Sequence, residues 1–160
     1  GKNTLLLSEI SESVTALDFS EGMIEQARQK LNVNNVEFRI ADLSNAWPSQ
    51  NSAYDLLVCN LVLEHIEDLS HIFKEAFRSL QSGGCFHVSE LHPFRQYQGG
   101  KARFQRGEEV TEVQAHVHHL SDFLKAADDS GINLKTFNEY WHPDDQGKPP
   151  RLAVFMFEKP

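Results

Sequence analysis

Apolar and polar residues alternate along the chain in two rhythms, one of helix and one of strand, and the rhythms take turns. Leu6, Leu7 and Ile10 recur at helical spacing near the start, and Asn3 is placed to cap that first short helix, whose apolar face needs something to lie against. "SVTALD" follows as a buried strand. Ser20 then caps "FSEGMIEQARQKL", which sets Met23, Ile24, Ala27 and Leu31 on one helical face. "VEFRI" alternates with period two, as a strand near a sheet edge does, and runs into "AD".

A polar stretch leads to "YDLLVCN", an unbroken apolar run of the kind that a strand buried on both faces requires. The next helix has the clearest pattern, with Leu69, Ile72, Phe73, Ala76, Phe77 and Leu80 forming one stripe before "SGG" stops it. "CFHVSEL" reads as the following strand. From His92 to about His116 no periodicity stands out, and an irregular segment of that length in a compact domain is more often functional than filler. Ser121 is placed to cap a helix that carries Phe123, Leu124 and Ala127 inward and ends at Gly131.

Strand and helix in alternation imply an α/β fold: a parallel sheet with right-handed crossovers and helices on both faces. The tail departs from this. "INLKTFNEYW" and "RLAVFMFEKP" are joined by "HPDDQGKPP", too short for a crossover helix, so the two strands should pair as a hairpin and make the last strand antiparallel. With 160 residues and no internal repeat, a single domain over 1–160 is expected.

Composition narrows the setting. The net charge is -8, which disfavours nucleic acid and anionic lipid as general partners. The chain has no run long enough to span a membrane and no secretory pattern at its start, and its two cysteines, Cys59 and Cys85, fall in strands expected to be buried. A reducing cytoplasm is the simplest home for such a chain.

In an open parallel sheet, ligands bind beyond the carboxyl ends of the strands, and three successive strands here end in Asp18, Asp42 and Asn60. All three are expected on one rim. A carboxylate at Asp18 can accept from the vicinal hydroxyls of a ribose, and Asp42 from the exocyclic amine of adenine, which together describe a nucleoside site. The plainer reading is that each Asp starts a turn or caps a helix.

These segments, in this order, resemble the class I S-adenosylmethionine-dependent methyltransferases of the broad small-molecule group. "VTALDFSEGMIEQARQKL" is similar to the family's second strand and following helix, "VEFRIADL" to its third strand, "YDLLVCNLVLEHIEDL" to its fourth, and "RSLQSGGCFHVSELHP" to the turn into the fifth. The terminal hairpin resembles the reversed final strand of that Rossmann-like sheet. The resemblance implies S-adenosylmethionine as cofactor and a small-molecule acceptor, with Asp18 on the ribose, Phe19, Ser20 and Met23 beside the nucleoside, Asp42 and Leu43 at the adenine, and Asn60, Leu61 and His65 toward the reacting sulfur.

The resemblance also implies that a first, central strand and a glycine-rich loop would precede "GKNTLLLSEI", with Gly1 matching the last glycine of that loop or being a chance remnant. A chain lacking that loop is expected to bind the cofactor weakly and to have unpaired strand edges that could pair with a second copy. Other readings stay open: a truncated, catalytically incompetent domain, and a nucleotide-binding oxidoreductase fragment. The terminal hairpin and Asp42 argue against the latter.

Several residues carry two readings. Met23 could simply pack in the core, and His65 could bond backbone at a helix start. His92, after the fifth strand, is the candidate catalytic base, although methyl transfer needs a base only when the acceptor must lose a proton. Phe94, Arg95, Tyr97 and Phe104 are candidate acceptor-pocket residues, Arg95 suiting a carboxylate. His116, His118 and His119 invite a metal reading, but no ligand partner lies at a recognisable spacing.

Overall fold

The computed structural model describes residues 2–98, 103–106, 109–112, 115–145 and 147–160. The expectation for Gly1 lies outside them, as does that for the side chain of Phe104. The chain forms two compact units, Gly1–Pro48 and Ser49–Pro160.

The first unit contains α1 (Lys2–Ile10), β1 (Val14–Asp18), α2 (Glu21–Lys30) and β2 (Val36–Ile40). β1 and β2 pair in parallel, from Val14 opposite Val36 to Asp18 opposite Ile40. Ser20 caps α2 as its spacing predicts, accepting from the Met23 N–H at 3.4 Å. Ile24 and Ala27 turn inward, but Met23 is 48% exposed, so it is not a core residue.

α1 differs from expectation. It starts at Lys2, which places Asn3 inside the helix, and none of its residues is buried. Three consecutive leucines spread over about 200° of helix circumference cannot form one inward stripe. α1 is instead tied at its end by Asn35, whose Nδ2 donates to the carbonyls of Ser8 and Ser11 at 2.8 and 3.0 Å.

The second unit contains β3 (Tyr54–Asn60), a 3-10 turn (Leu63–His65), α3 (Leu69–Ser79), β4 (Leu80–Leu91), α4 (Pro93–Tyr97), β5 (Arg103–Arg106), β6 (Glu109–Glu112), α5 (Leu120–Ser130), β7 (Asn133–Tyr140), a second 3-10 turn (Pro143–Asp145) and β8 (Leu152–Glu158). Its main sheet has the order β3-β4-β8-β7. β4 lies parallel to β3, and β8 runs antiparallel to both β4 and β7, so the reversed final strand is as the tail predicts.

The stripe read on α3 supplies the core. Leu69, Ile72, Phe73 and Ala76 are buried, with Asp68 capping the helix by accepting from the His71 N–H. Phe73 meets Phe86 and Phe157 edge to face at centroid distances of 5.4 and 5.1 Å. Phe155 continues the cluster, stacking on Phe157 and on Phe123 of α5.

Four expectations are corrected here. β3 is not buried on both faces: among the described residues it has β4 as its one partner strand, Leu56 is 39% exposed, and Cys59 alone is buried. Cys85 is half-buried. The "irregular" segment after His92 contains α4 and an antiparallel hairpin of β5 and β6. Four-residue strands are too short for a period to register in the sequence. α5 begins at Leu120 with His119 as its cap residue, so Ser121 lies within the first turn.

Candidate functional site

In the first unit the strand pairing decides where the acidic residues fall. β1 and β2 are parallel and in register, so both carboxyl ends face one way, and the Ala41 N–H donates to the Asp18 carbonyl at 3.0 Å. Asp18 ends β1, and Asp42 stands two residues past the end of β2, at the same end. Asp18 is half-buried and uses Oδ1 to accept from the Ser20 N–H at 2.9 Å. Asp42 is exposed and commits both oxygens, Oδ1 to the Ser44 N–H and Oδ2 to Asn45 Nδ2. The turn-forming reading therefore holds for both as a local fact, and Asp18 keeps more acceptor capacity for a ligand. Phe19, 75% exposed, and Met23 give the same rim an apolar border beside Asp18.

In the second unit, Asn60 ends β3 opposite Ser89 and is exposed. Leu61 follows with φ +55°, a left-handed backbone that a leucine adopts at a cost of roughly 1–2 kcal/mol. Its N–H donates to the Ser89 carbonyl at 2.9 Å, so the chain turns sharply while still anchored to β4. Val62 then leads into the 3-10 turn that carries Glu64 and His65. His65 Nε2 lies 3.8 Å from Glu64 Oε1.

Beneath this turn sits a group that the sequence reading missed. Glu90 is 3% exposed, and its Oε1 accepts from the N–H groups of Val62 and Leu63, each at 3.0 Å. Burial pushes its carboxyl up to about 7, against the lowering effect of those hydrogen bonds, and the nearby Glu64 carboxylate adds to the rise. Glu64 is buried too, and each of the two has an Oε2 without a hydrogen-bond partner. The signal was there to find: Phe86, Val88 and Glu90 share one face of β4 by alternation, and the first two are core residues. Burial, with Glu90 beside it, also pushes the Cys59 thiol up to about 12, which makes it an inert thiol.

His92 is 6% exposed. Its Nδ1 accepts from the Phe94 N–H at 3.2 Å, which leaves the ring proton on Nε2. Nε2 lies 2.9 Å from Glu139 Oε1 but is poorly aligned for a hydrogen bond. A base at this position would first have to give up Glu139. Arg95 is committed elsewhere: it donates to the carbonyls of Pro149 and Pro150 and pairs with Asp145 Oδ2 at 2.9 Å. Phe94 and Tyr97 are exposed, at 47% and 55%, and the Tyr97 hydroxyl bonds His119 Nδ1.

The histidines after β6 serve the turn. The His116 N–H donates to the Glu64 carbonyl at 2.7 Å, and His118 Nε2 bonds the carbonyls of Leu63 and Ile66 at 3.1 and 2.7 Å. Among the described residues no group of three or more His, Cys, Asp or Glu is arranged to hold a metal ion. No helix among them is long and apolar enough to cross a membrane.

Parallel strand pairs with a reversed last strand define a Rossmann-like α/β class, and comparison with known proteins specifies it. Residues 1–88 match the family model described as "Methyltransferase domain". The chain is 38% identical over 76 residues to a malonyl-[acyl-carrier protein] O-methyltransferase of Acetivibrio thermocellus, covering 48% of this chain and 26% of that protein. It is 34% identical over 83 residues to a demethylmenaquinone methyltransferase of Leptospira interrogans, covering 49% of this chain and 33% of that protein. The chain thus spans about a third or less of the length of these curated relatives. The fold is that of an S-adenosylmethionine-dependent methyltransferase from Mesorhizobium loti, with TM-score 0.78, 20% identity, and coverage of 93% of this chain and 81% of that one. A second such enzyme, from Clostridium acetobutylicum, gives TM-score 0.81 at 17% identity, covering 99% of this chain and 80% of that one. The chain belongs to the methyltransferase-domain family.

Proposed function

We propose that the Asp18–Asp42 rim binds the adenosyl part of S-adenosylmethionine, and that the protein transfers its methyl group to a small-molecule acceptor. The observation that carries this is the common end of β1 and β2, where a half-buried carboxylate with spare acceptor capacity stands beside exposed Phe19 and Met23. Asp18 would accept from the ribose hydroxyls, and Phe19, Ser20 and Met23 would border the nucleoside. Asp42 and Leu43 would meet the adenine edge. Within the second unit taken by itself, Asn60, Leu61 and His65 at the end of β3 are the residues we assign, by the family resemblance, to the sulfur side of the cofactor.

The sulfonium is an activated donor, so the protein's contribution is alignment of the acceptor behind the methyl group. His92 would take a proton only from an acceptor that must lose one, and only on release of its contact with Glu139. The matched relatives act, by their names, on a malonyl-[acyl-carrier protein] and on demethylmenaquinone.

Ligand-observed NMR with S-adenosylhomocysteine tests the reading even at weak affinity. The chain should saturate ribose and adenine protons of the ligand, and Asp18→Ala should weaken binding about tenfold or more, the equivalent of one charged hydrogen bond. Equal binding by both proteins would overturn the assignment.

A further inference from the structure

The carboxyl-terminal end of β4 supplies a group that the methyltransferase reading leaves without a role. Glu90 is buried against the sharp turn after β3, and its hydrogen bonds are with backbone. It holds the N–H groups of Val62 and Leu63 at 3.0 Å, immediately after the left-handed Leu61. The same turn is held from the other side by His118 on the Leu63 and Ile66 carbonyls and by the His116 N–H on the Glu64 carbonyl. Asn60 and Leu61 are therefore fixed through the residues that follow them, with the Glu90 carboxyl on the Val62 and Leu63 N–H groups. Two Oε2 atoms, of Glu64 and Glu90, are buried with no donor. A proton taken up on either carboxyl turns an acceptor without a partner into a donor.

We propose that Glu90 is a positioning residue for the Asn60–Leu61 edge: its carboxylate grips the turn through the Val62 and Leu63 N–H groups, and a proton taken up beside Glu64 loosens that grip. The claim about ligand affinity rests on the reading given under Proposed function; the claim about the turn does not. The titratable groups beside Glu90 are Glu64 on the turn and Cys59 on β3; His65 adjoins Glu64, and His116 and His118 bond the backbone of the turn from the segment before α5. His92, one residue past β4, and Glu139 on β7 lie at the same end of the sheet. Histidines in general titrate near neutrality, so a variant has to accompany the pH change.

Two measurements on the whole chain test this. In the first, the amide shifts of Val62 and Leu63 are followed against pH. They should move with a midpoint near 7, the value to which burial raises Glu90, and Glu90→Gln should abolish that step while leaving the Leu61 N–H bonded to Ser89. In the second, affinity for S-adenosylhomocysteine should fall about fivefold between about pH 8 and about pH 6, as a charged acceptor becomes neutral, and should be flat in Glu90→Gln. A step of unchanged midpoint in Glu90→Gln, or flat wild-type amides, would overturn the proposal whatever the ligand does. Titrating amides with no binding at any pH would leave Glu90's hold on the turn standing and overturn the adenosyl site instead.

Discussion

Asp18, Asp42, Glu90 and Asp145 all lie close to strand ends or turns, and what reaches each of them first separates their roles. Asp42 closes its own turn with both oxygens, whereas Asp18 spends Oδ1 on the Ser20 N–H. Glu90 grips backbone from within the core. Asp145 is a purely structural case: 2% exposed, it takes Arg151 Nε at 2.8 Å and Arg95 at 2.9 Å. The hydrogen bond from Arg151, helped by Arg95 and by the His142 N–H, holds its carboxyl well below the usual carboxylate range. The stability it contributes is therefore present above the ordinary carboxyl pKa of about 4 and is lost as pH falls below it. Asp145→Asn should lower the melting temperature at neutral pH, with the gap to wild type closing as the solution is taken below about pH 4. A gap that stays constant down to strongly acid solution would remove the ion-paired carboxylate as its cause. Arg95, expected to greet an acceptor's carboxylate, is thereby explained as a brace between α4 and the link from β7 to β8.

At the scale of elements, the patterns that were long or repeated could be read in advance and the rest could not. The α3 stripe and the β7–β8 hairpin were legible because several residues in each report the same face. α1 was misjudged because its leucines are consecutive, and β3 because an apolar run does not state how many neighbouring strands will cover it. Glu90 was overlooked although alternation along "CFHVSEL" puts it on the inward face. "SGG" was expected as a stop after α3 but lies within β4, which starts directly at Leu80. Gly84 shows why: a Cβ there would stand 2.9 Å from the Gln81 carbonyl of β4 itself and 3.1 Å from that of Tyr54 on β3, so backbone crowds the position from both strands. Gly84→Ala should cost about 1–3 kcal/mol, since backbone atoms cannot move aside cheaply. Gly83→Ala, at φ +76° with nothing nearby, should cost about 1 kcal/mol or somewhat more from backbone strain alone. Urea titrations that rank the two in the opposite order would contradict the crowding at Gly84.

For the molecule as a whole, burial is uneven. The fully buried aromatics, Phe73, Phe86, Phe155 and Phe157, all belong to the second unit, whereas the first buries Ile24, Ala27 and Trp47 as its apolar core. Elements with few buried apolar contacts open at lower free energy. The first unit should accordingly lose structure at lower denaturant concentration than the second. The two tryptophans of the chain fall one to each unit: Trp47, 8% exposed and donating from Nε1 to the Leu43 carbonyl, and Trp141, 52% exposed. Unfolding moves the emission of a sheltered indole far more than that of one already wet. Fluorescence should therefore follow the Trp47 unit, with a midpoint below that seen by far-ultraviolet circular dichroism, and coincident midpoints would refute the unevenness. Nature has thus placed a built-in optical gauge next to Leu43, on the loop proposed to cradle adenine. Arrival of a nucleoside there can be watched by the colour of the protein's own light, without attaching a dye.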